Sequence, residues 1–212
     1  MWPSRFLGAI KSFGTFNAGL KSNKSAMDLQ HALNRNLENI GTFSPGQLAL
    51  IGEHCSYRKV RKQDTLLAAG QICNAFFFLV TGACYQFRTT DSDPNIIDLH
   101  VADDCVINGV SFIAQQPSSE NIEAYEESEL LVLTIQSLHR LIALSPAFLQ
   151  LAKLLQVSTL QAEFYNSAMT PTEKYNYILN NKPQLIQTFP LKYIASYLKI
   201  APETLSRVRA SI

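Results

Sequence analysis

The sequence predicts an α+β chain: a small β-barrel or sandwich bracketed by helices, followed by a helical unit at the C-terminus. Three patterns carry this expectation. From Cys55 to about Ile135, short β-rich runs alternate with turn residues such as Lys62-Gln63-Asp64, Gly70, Thr81-Gly82 and Asp91-Ser92-Asp93-Pro94. Before and after that stretch, apolar residues recur at helical spacing. The last stretch, LKYIASYLKIAPETLSRVRASI, keeps helical spacing on both sides of an interruption at Lys199-Ile200-Ala201. With 47% hydrophobic and 17% charged residues among 212, the chain has ample material for a core, and disorder is not indicated.

Residues 1–26 are basic, free of acids and punctuated by Phe, and read as an extension ahead of the first domain. An organellar presequence, or a membrane-surface helix through Phe6, Leu7, Ile10 and Phe13, are the competing readings. Lys11 and Gly14 interrupt the apolar run that a secretory signal needs. Leu29, Ala32, Leu33, Leu37 and Ile40 predict a helix over 28–40. Ser44-Pro45, a cap followed by a first-turn proline, starts a second helix that runs to about His54. Strands are expected within 55–90 and at 95–101, 105–110, 121–125 and 130–135. Such spacing indicates a barrel or sandwich rather than a βαβ sheet, and residues 27–145 form one expected domain.

Leu138, Leu141 and Ile142 predict a short helix that ends before Ser145-Pro146. A long helix is expected from Ala147 to about Ala168, inside a connecting segment spanning 146–169. On it Phe148, Leu151, Leu155, Ala162 and Tyr165 form one apolar stripe, and Leu154, Val157, Leu160 and Phe164 form another. Two stripes need two partners: the barrel, and the same helix of a second subunit. A single helix packed twice within one chain is the alternative. Thr170-Pro171-Thr172-Glu173 supplies a cap, a first-turn proline and a capping-box glutamate, marking a hinge into a helical unit over 170–212.

Composition narrows the function. The formal net charge is +1, so nucleic-acid binding has to come from local charge. Between Arg88 and Arg140 there is no Lys or Arg, and ten acidic residues accumulate, whereas the terminal stretch sets Lys192, Lys199, Arg207 and Arg209 against Glu203 alone. Cys55, Cys73, Cys84 and Cys105 show no ligand spacing; scattered buried thiols in a reducing cytoplasm are the first reading and a cluster assembled by folding the second. His31, His54, His100 and His139 form no metal-type pair, so no metal site is expected. No apolar run is long enough to cross a bilayer, and a cytoplasmic location without stable membrane insertion is expected. No nucleophile–base spacing or phosphate-cradling glycine loop appears, so the chain is not expected to be an enzyme.

The terminal pair carries the sharpest chemistry. Pro202 suits the first position of its second helix, and Glu203 faces the positive end of the helix dipole. That helix leaves Glu203, Ser206, Arg207 and Arg209 off its apolar stripe. In a helix-turn-helix such residues meet base edges: an arginine donates a bidentate pair to guanine, and a glutamate accepts from the cytosine amino group. An ordinary αα-hairpin with a solvated face is the plain alternative.

Helical cover, small barrel, long helix, hinge and terminal helix pair, in that order, resemble the Crp/Fnr superfamily of bacterial transcription regulators over about residues 27–212. The segment KQDTLLAAGQICNAFFFLVTGACY resembles the early barrel of that family, with Gly70 and Gly82 closing turns. The segments PLKYIASYLKIAPETLSRVRASI and QQPSSENIEAYEESELLVL are similar to its Bacteroidetes branch. The resemblance implies a double-stranded β-helix, jelly-roll-like, with flanking helices, a dimerisation helix through 147–168 and a C-terminal helix-turn-helix. It implies double-stranded DNA with a roughly twofold site as partner, and RNA polymerase as a further one. Glu203 and Arg207 match the base-reading pair, Ser206 lies between them and Thr204 matches a phosphate contact. Arg209 and Lys192 complete the expected DNA-binding set. Pro202 stands where cyclic-AMP-responsive members often carry an arginine, so the DNA site is expected to differ from theirs.

The effector region departs from the same pattern. Cyclic-nucleotide binders of the family grip the ribose with a glycine-glutamate pair and the phosphate with an arginine-serine pair. Here the first region, Val106 to Phe112, has no glutamate, and Ser118 of Pro117-Ser118-Ser119-Glu120 takes the arginine's place with a carboxylate beside it. Asn108, Gly109, Ser118 and Ser119 are the candidate pocket residues, no cofactor is expected, and useful cyclic-AMP binding is not expected. No cysteine precedes Cys55 to hold the iron–sulfur cluster of the oxygen-sensing branch, and no histidine declares itself as a haem ligand. The reading is a dimeric DNA-binding regulator; its rival is a degenerate nucleotide-fold module that acts through protein contacts with a vestigial helix pair.

Overall fold

The computed structural model describes residues 26–38, 40–90, 93–155 and 169–211. Helix α1 (Ala26–Leu37) buries Leu29, Leu33 and Leu37, which lie four residues apart and so stack on one face. Helix α2 (Pro45–Glu53) starts at a reciprocal cap: Ser44 Oγ accepts from the Gln47 amide, and Gln47 Oε1 accepts from the Ser44 amide.

The strands are β1 (Ser56–Val60), β2 (Thr65–Leu67), β3 (Ala75–Thr81), β4 (Ala83–Arg88), β5 (Asn95–Val101), β6 (Cys105–Val106), β7 (Asn121–Ala124) and β8 (Ser128–Thr134). They form two antiparallel sheets, ordered β1-β8-β3-β6 and β2-β7-β4-β5, a jelly-roll-like α+β arrangement. Every residue of β3 from Ala75 to Val80 is buried, as expected of a strand covered on both faces. Gly82 carries the chain from one sheet to the other at φ 87°; a Cβ there would meet the Ser128 hydroxyl and backbone, so only glycine fits.

Two stretches differ from expectation. The predicted strand over 105–110 ends at Val106, and helix α3 (Gly109–Ala114) begins because the Asn108 side chain caps the Ser111 amide. After α4 (Ile135–Leu144) the predicted long α-helix opens instead as a 3-10 helix, Pro146–Lys153. Phe148, Leu151 and Leu154 are all buried, and their spacing of three matches three residues per turn. Leu154 therefore joins Phe148 and Leu151 rather than an opposite stripe. Val157, Leu160, Ala162, Phe164 and Tyr165 lie outside the described residues.

The C-terminal helices are α5 (Pro171–Asn181), opened by the Thr170/Glu173 capping box, α6 (Pro183–Thr188), α7 (Leu191–Leu198) and α8 (Pro202–Ala210). Antiparallel register decides what they rest on. Ala83, Tyr85 and Phe87 of β4 stand opposite Val101, Leu99 and Ile96 of β5, and this outward face packs with α5–α8 in one apolar cluster. Cys84 and Gln86, opposite His100 and Asp98, point the other way. Polar pins add to the apolar contact: Ile96 N donates to Ser196 Oγ (2.9 Å), Lys199 Nζ to Ile96 O (2.7 Å), and Lys182 Nζ to Asp104 Oδ1 (3.1 Å). Burial alone would lower the Lys182 pKa, but Asp104 and Asp98 outweigh it and the ammonium is held. Among the described residues, no helix is long and apolar enough to cross a membrane.

Candidate functional site

The face of β4 that carries Gln86 opens onto a buried polar cluster at the α3–β7 end of the barrel. Asn108, the α3 cap, donates from Nδ2 to Ser118 Oγ (3.1 Å) and to Glu120 Oε2 (2.9 Å). Gln86 Nε2 donates to the same Glu120 oxygen, and Arg88 Nη2 reaches Oε1 at 2.8 Å. Ser118 Oγ accepts from the Glu120 amide (2.9 Å) and donates to its carbonyl (2.8 Å). A buried carboxylate without such donors would cost several kcal/mol. With them it ties β4, α3 and the start of β7 into one network.

This network decides what the cluster can bind. The Asn108, Gln86 and Arg88 donors already converge on one anion, and that anion is part of the chain. A phosphate brought beside Asn108 would meet the Glu120 carboxylate, and the donors still open here are those on the half-exposed Arg88. Of the expected pocket residues, Asn108, Gly109 and Ser118 are buried together at this end, whereas Ser119 is exposed. Gln86 and Arg88 were not expected; strand alternation through Cys84, Gln86 and Arg88 is the signal that could have found them. Next to them, His100 Nε2 lies 3.0 Å from Asp98 Oδ2 but at an angle that makes no hydrogen bond.

The cysteines offer no open chemistry. Burial pushes the thiols of Cys55 and Cys84 up to about 12, and raises Cys73 and Cys105 as well, so all four stay protonated at neutral pH. Among the described residues, no group of His, Cys, Asp and Glu is arranged to hold a metal ion.

The second candidate site is the α7–α8 pair. Ile194, Ala195 and Leu198 of α7 and Leu205 and Val208 of α8 are buried against each other and the barrel. That packing turns Glu203, Ser206, Arg207 and Arg209 to the exposed side of α8 and leaves Thr204 half-buried. Arg207 Nε points back along the helix to the Glu203 carbonyl at 3.4 Å. Lys192 is directed elsewhere: its Nζ lies 3.4 Å from Asp93 Oδ1 and over the Tyr193 ring. The structure thus groups five of the expected contacts on one helix, four of them exposed, and sets Lys192 against the β4–β5 turn.

Residues 57–145 match the family model described as the cyclic nucleotide-binding domain. No curated protein matches the chain. Among solved structures, the catabolite activator protein of Thermus thermophilus is 19% identical, with 84% of this chain and 85% of that one covered at a TM-score of 0.53. FixK2 of Bradyrhizobium japonicum is 15% identical over 74% of this chain and 83% of its own, with a TM-score of 0.59. The sensor domain of the transcriptional regulator DNR of Pseudomonas aeruginosa is 18% identical, with 68% and 96% covered at 0.52. At these identities the likeness to the solved structures is one of fold, and residues 57–145 are the part that matches the cyclic nucleotide-binding domain model.

Proposed function

We propose that the chain is a dimeric, cytoplasmic, DNA-binding transcription regulator of Crp/Fnr type whose barrel has lost the residues that hold a cyclic-AMP phosphate. The observation that supports it most is the solvent-facing side of α8, where Glu203, Ser206 and Arg207 sit together over a buried Leu205 and Val208. This is the placement a recognition helix needs to bring a guanine donor and a cytosine acceptor to a major groove. Thr204 and Arg209 flank that set as phosphate contacts, and Lys192 joins them only if it leaves Asp93. A second subunit, paired through residues 147–168, supplies the other half-site about one helical turn away.

A gel shift on the duplex upstream of the chain's own gene tests the reading. Salt-dependent binding that Arg207→Ala abolishes supports it; no shift at low salt favours a module acting through protein contacts. The Glu120 network supports the second half of the proposal, because its donors are engaged by an internal carboxylate. Titration with cyclic AMP is expected to show no binding, and micromolar affinity would overturn this part.

A further inference from the structure

One residue of the α7–α8 turn departs from local preference. Lys199, the C-cap of α7, sits in the left-handed region at φ 56° and ψ 47°, where glycine or asparagine is the usual occupant. Its side chain supplies a reason for a lysine there. Nζ donates to Ile96 O at 2.7 Å and to Asn95 Oδ1 at 2.5 Å, across 103 and 104 residues of sequence. Asn95 is the cross-strand partner of Arg88, and Arg88 pairs with the buried Glu120. The side-chain contacts Asn108–Glu120–Arg88 and Asn95–Lys199 are joined through the backbone pairing of Arg88 with Asn95, and together lead from the polar cluster of the barrel to the turn that carries α8.

We propose that Lys199 is a positioning residue that pins the α7–α8 turn to the start of β5 and makes the docking of that helix pair respond to the Arg88–Glu120 pair. The charges act on it with opposite sign. Burial lowers the Lys199 pKa and Arg88 lowers it further, while Glu120 raises it. A ligand or partner with cationic or hydrogen-bond-donating chemistry that engages Glu120 leaves Arg88 uncompensated, and Lys199 is repelled. An anion that engages Arg88 leaves Glu120 dominant, and Lys199 is held more tightly. The meaning of this for gene control rests on the duplex-reading proposal above; the contact itself does not.

Amide hydrogen exchange of the full chain, read at Ile96 and through α7, tests the coupling without DNA. Glu120→Gln is expected to speed exchange at these amides and Arg88→Gln to slow it, each by about threefold, the size of a partly screened charge interaction. In a Lys199→Met background both responses vanish. Arg88 is half-exposed, so Arg88→Gln decides the matter even where Glu120→Gln does not fold. Shifts of the same sign, or shifts that persist without Lys199, overturn the proposal. A gel shift on the same variants separates the two ideas. A chain that shows the exchange pattern but binds no duplex keeps the coupling and loses the regulator reading; one that binds duplex without the pattern does the reverse.

Discussion

Two of the glutamate–arginine pairs among the described residues, Glu120–Arg88 and Glu203–Arg207, behave as opposites. At the barrel, Glu120 is buried and Arg88 closes on it at 2.8 Å, with Gln86 and Asn108 completing the shell. On α8, Glu203 and Arg207 lie one turn apart with both side chains exposed, and Arg207 reaches only the Glu203 backbone carbonyl. The residue types are the same, but the availability of their hydrogen-bonding capacity is not. Where the donors and acceptors already face one another, the pair acts as structure. Where they face water, they remain open to a partner that can replace that water.

The largest expected effect attacks the first half of this contrast. Glu120→Ala leaves Arg88, Gln86 and Asn108 without their acceptor and is expected to cost about 2–4 kcal/mol in denaturant unfolding, whereas Glu203→Ala shifts stability by less than about 0.5 kcal/mol. Equal losses from the two would erase the distinction. Next, Arg207→Ala is expected to weaken duplex binding by about ten- to a hundredfold while the thermal midpoint stays put. A matching drop in the midpoint would make Arg207 structural. Ser44→Ala, remote from both pairs, calibrates the scale: the loss of the α2 cap should cost about 1 kcal/mol with duplex affinity unchanged. The smallest effect falls on Arg209→Ala, which should lower the salt slope of duplex binding by about one and leave its sequence preference intact.

The residues that were legible in advance share a feature. Ser44-Pro45 and Thr170-Pro171 mark helix starts, and both carry reciprocal caps closed within three residues. Gly70 and Gly82 mark turns, and both adopt positive φ. The outward set on α8 followed from helical spacing alone. What escaped notice depended on partners elsewhere. The strand expected at 105–110 gave way to α3 because Asn108 faces a cluster built from β4 and β7, and the expected α-helix after Ser145 opened as a 3-10 turn where its apolar residues had to meet one surface at a spacing of three. Gln86 and Arg88 looked like ordinary strand residues until the register set them beside Glu120.

The amino-acid sequence by itself determined the order of most elements, the caps of α2 and α5, the glycine turns at Gly70 and Gly82, and which side of α8 faces outward. Each of these is settled by periodicity or by hydrogen bonds between residues a few positions apart. Only the tertiary structure decided which charges are engaged: Arg88 meets Glu120 across 32 residues, and Lys199 meets Asn95 across 104. No local pattern encodes such pairs, because they form only where two sheets and a docked helix pair bring distant segments within reach of one another.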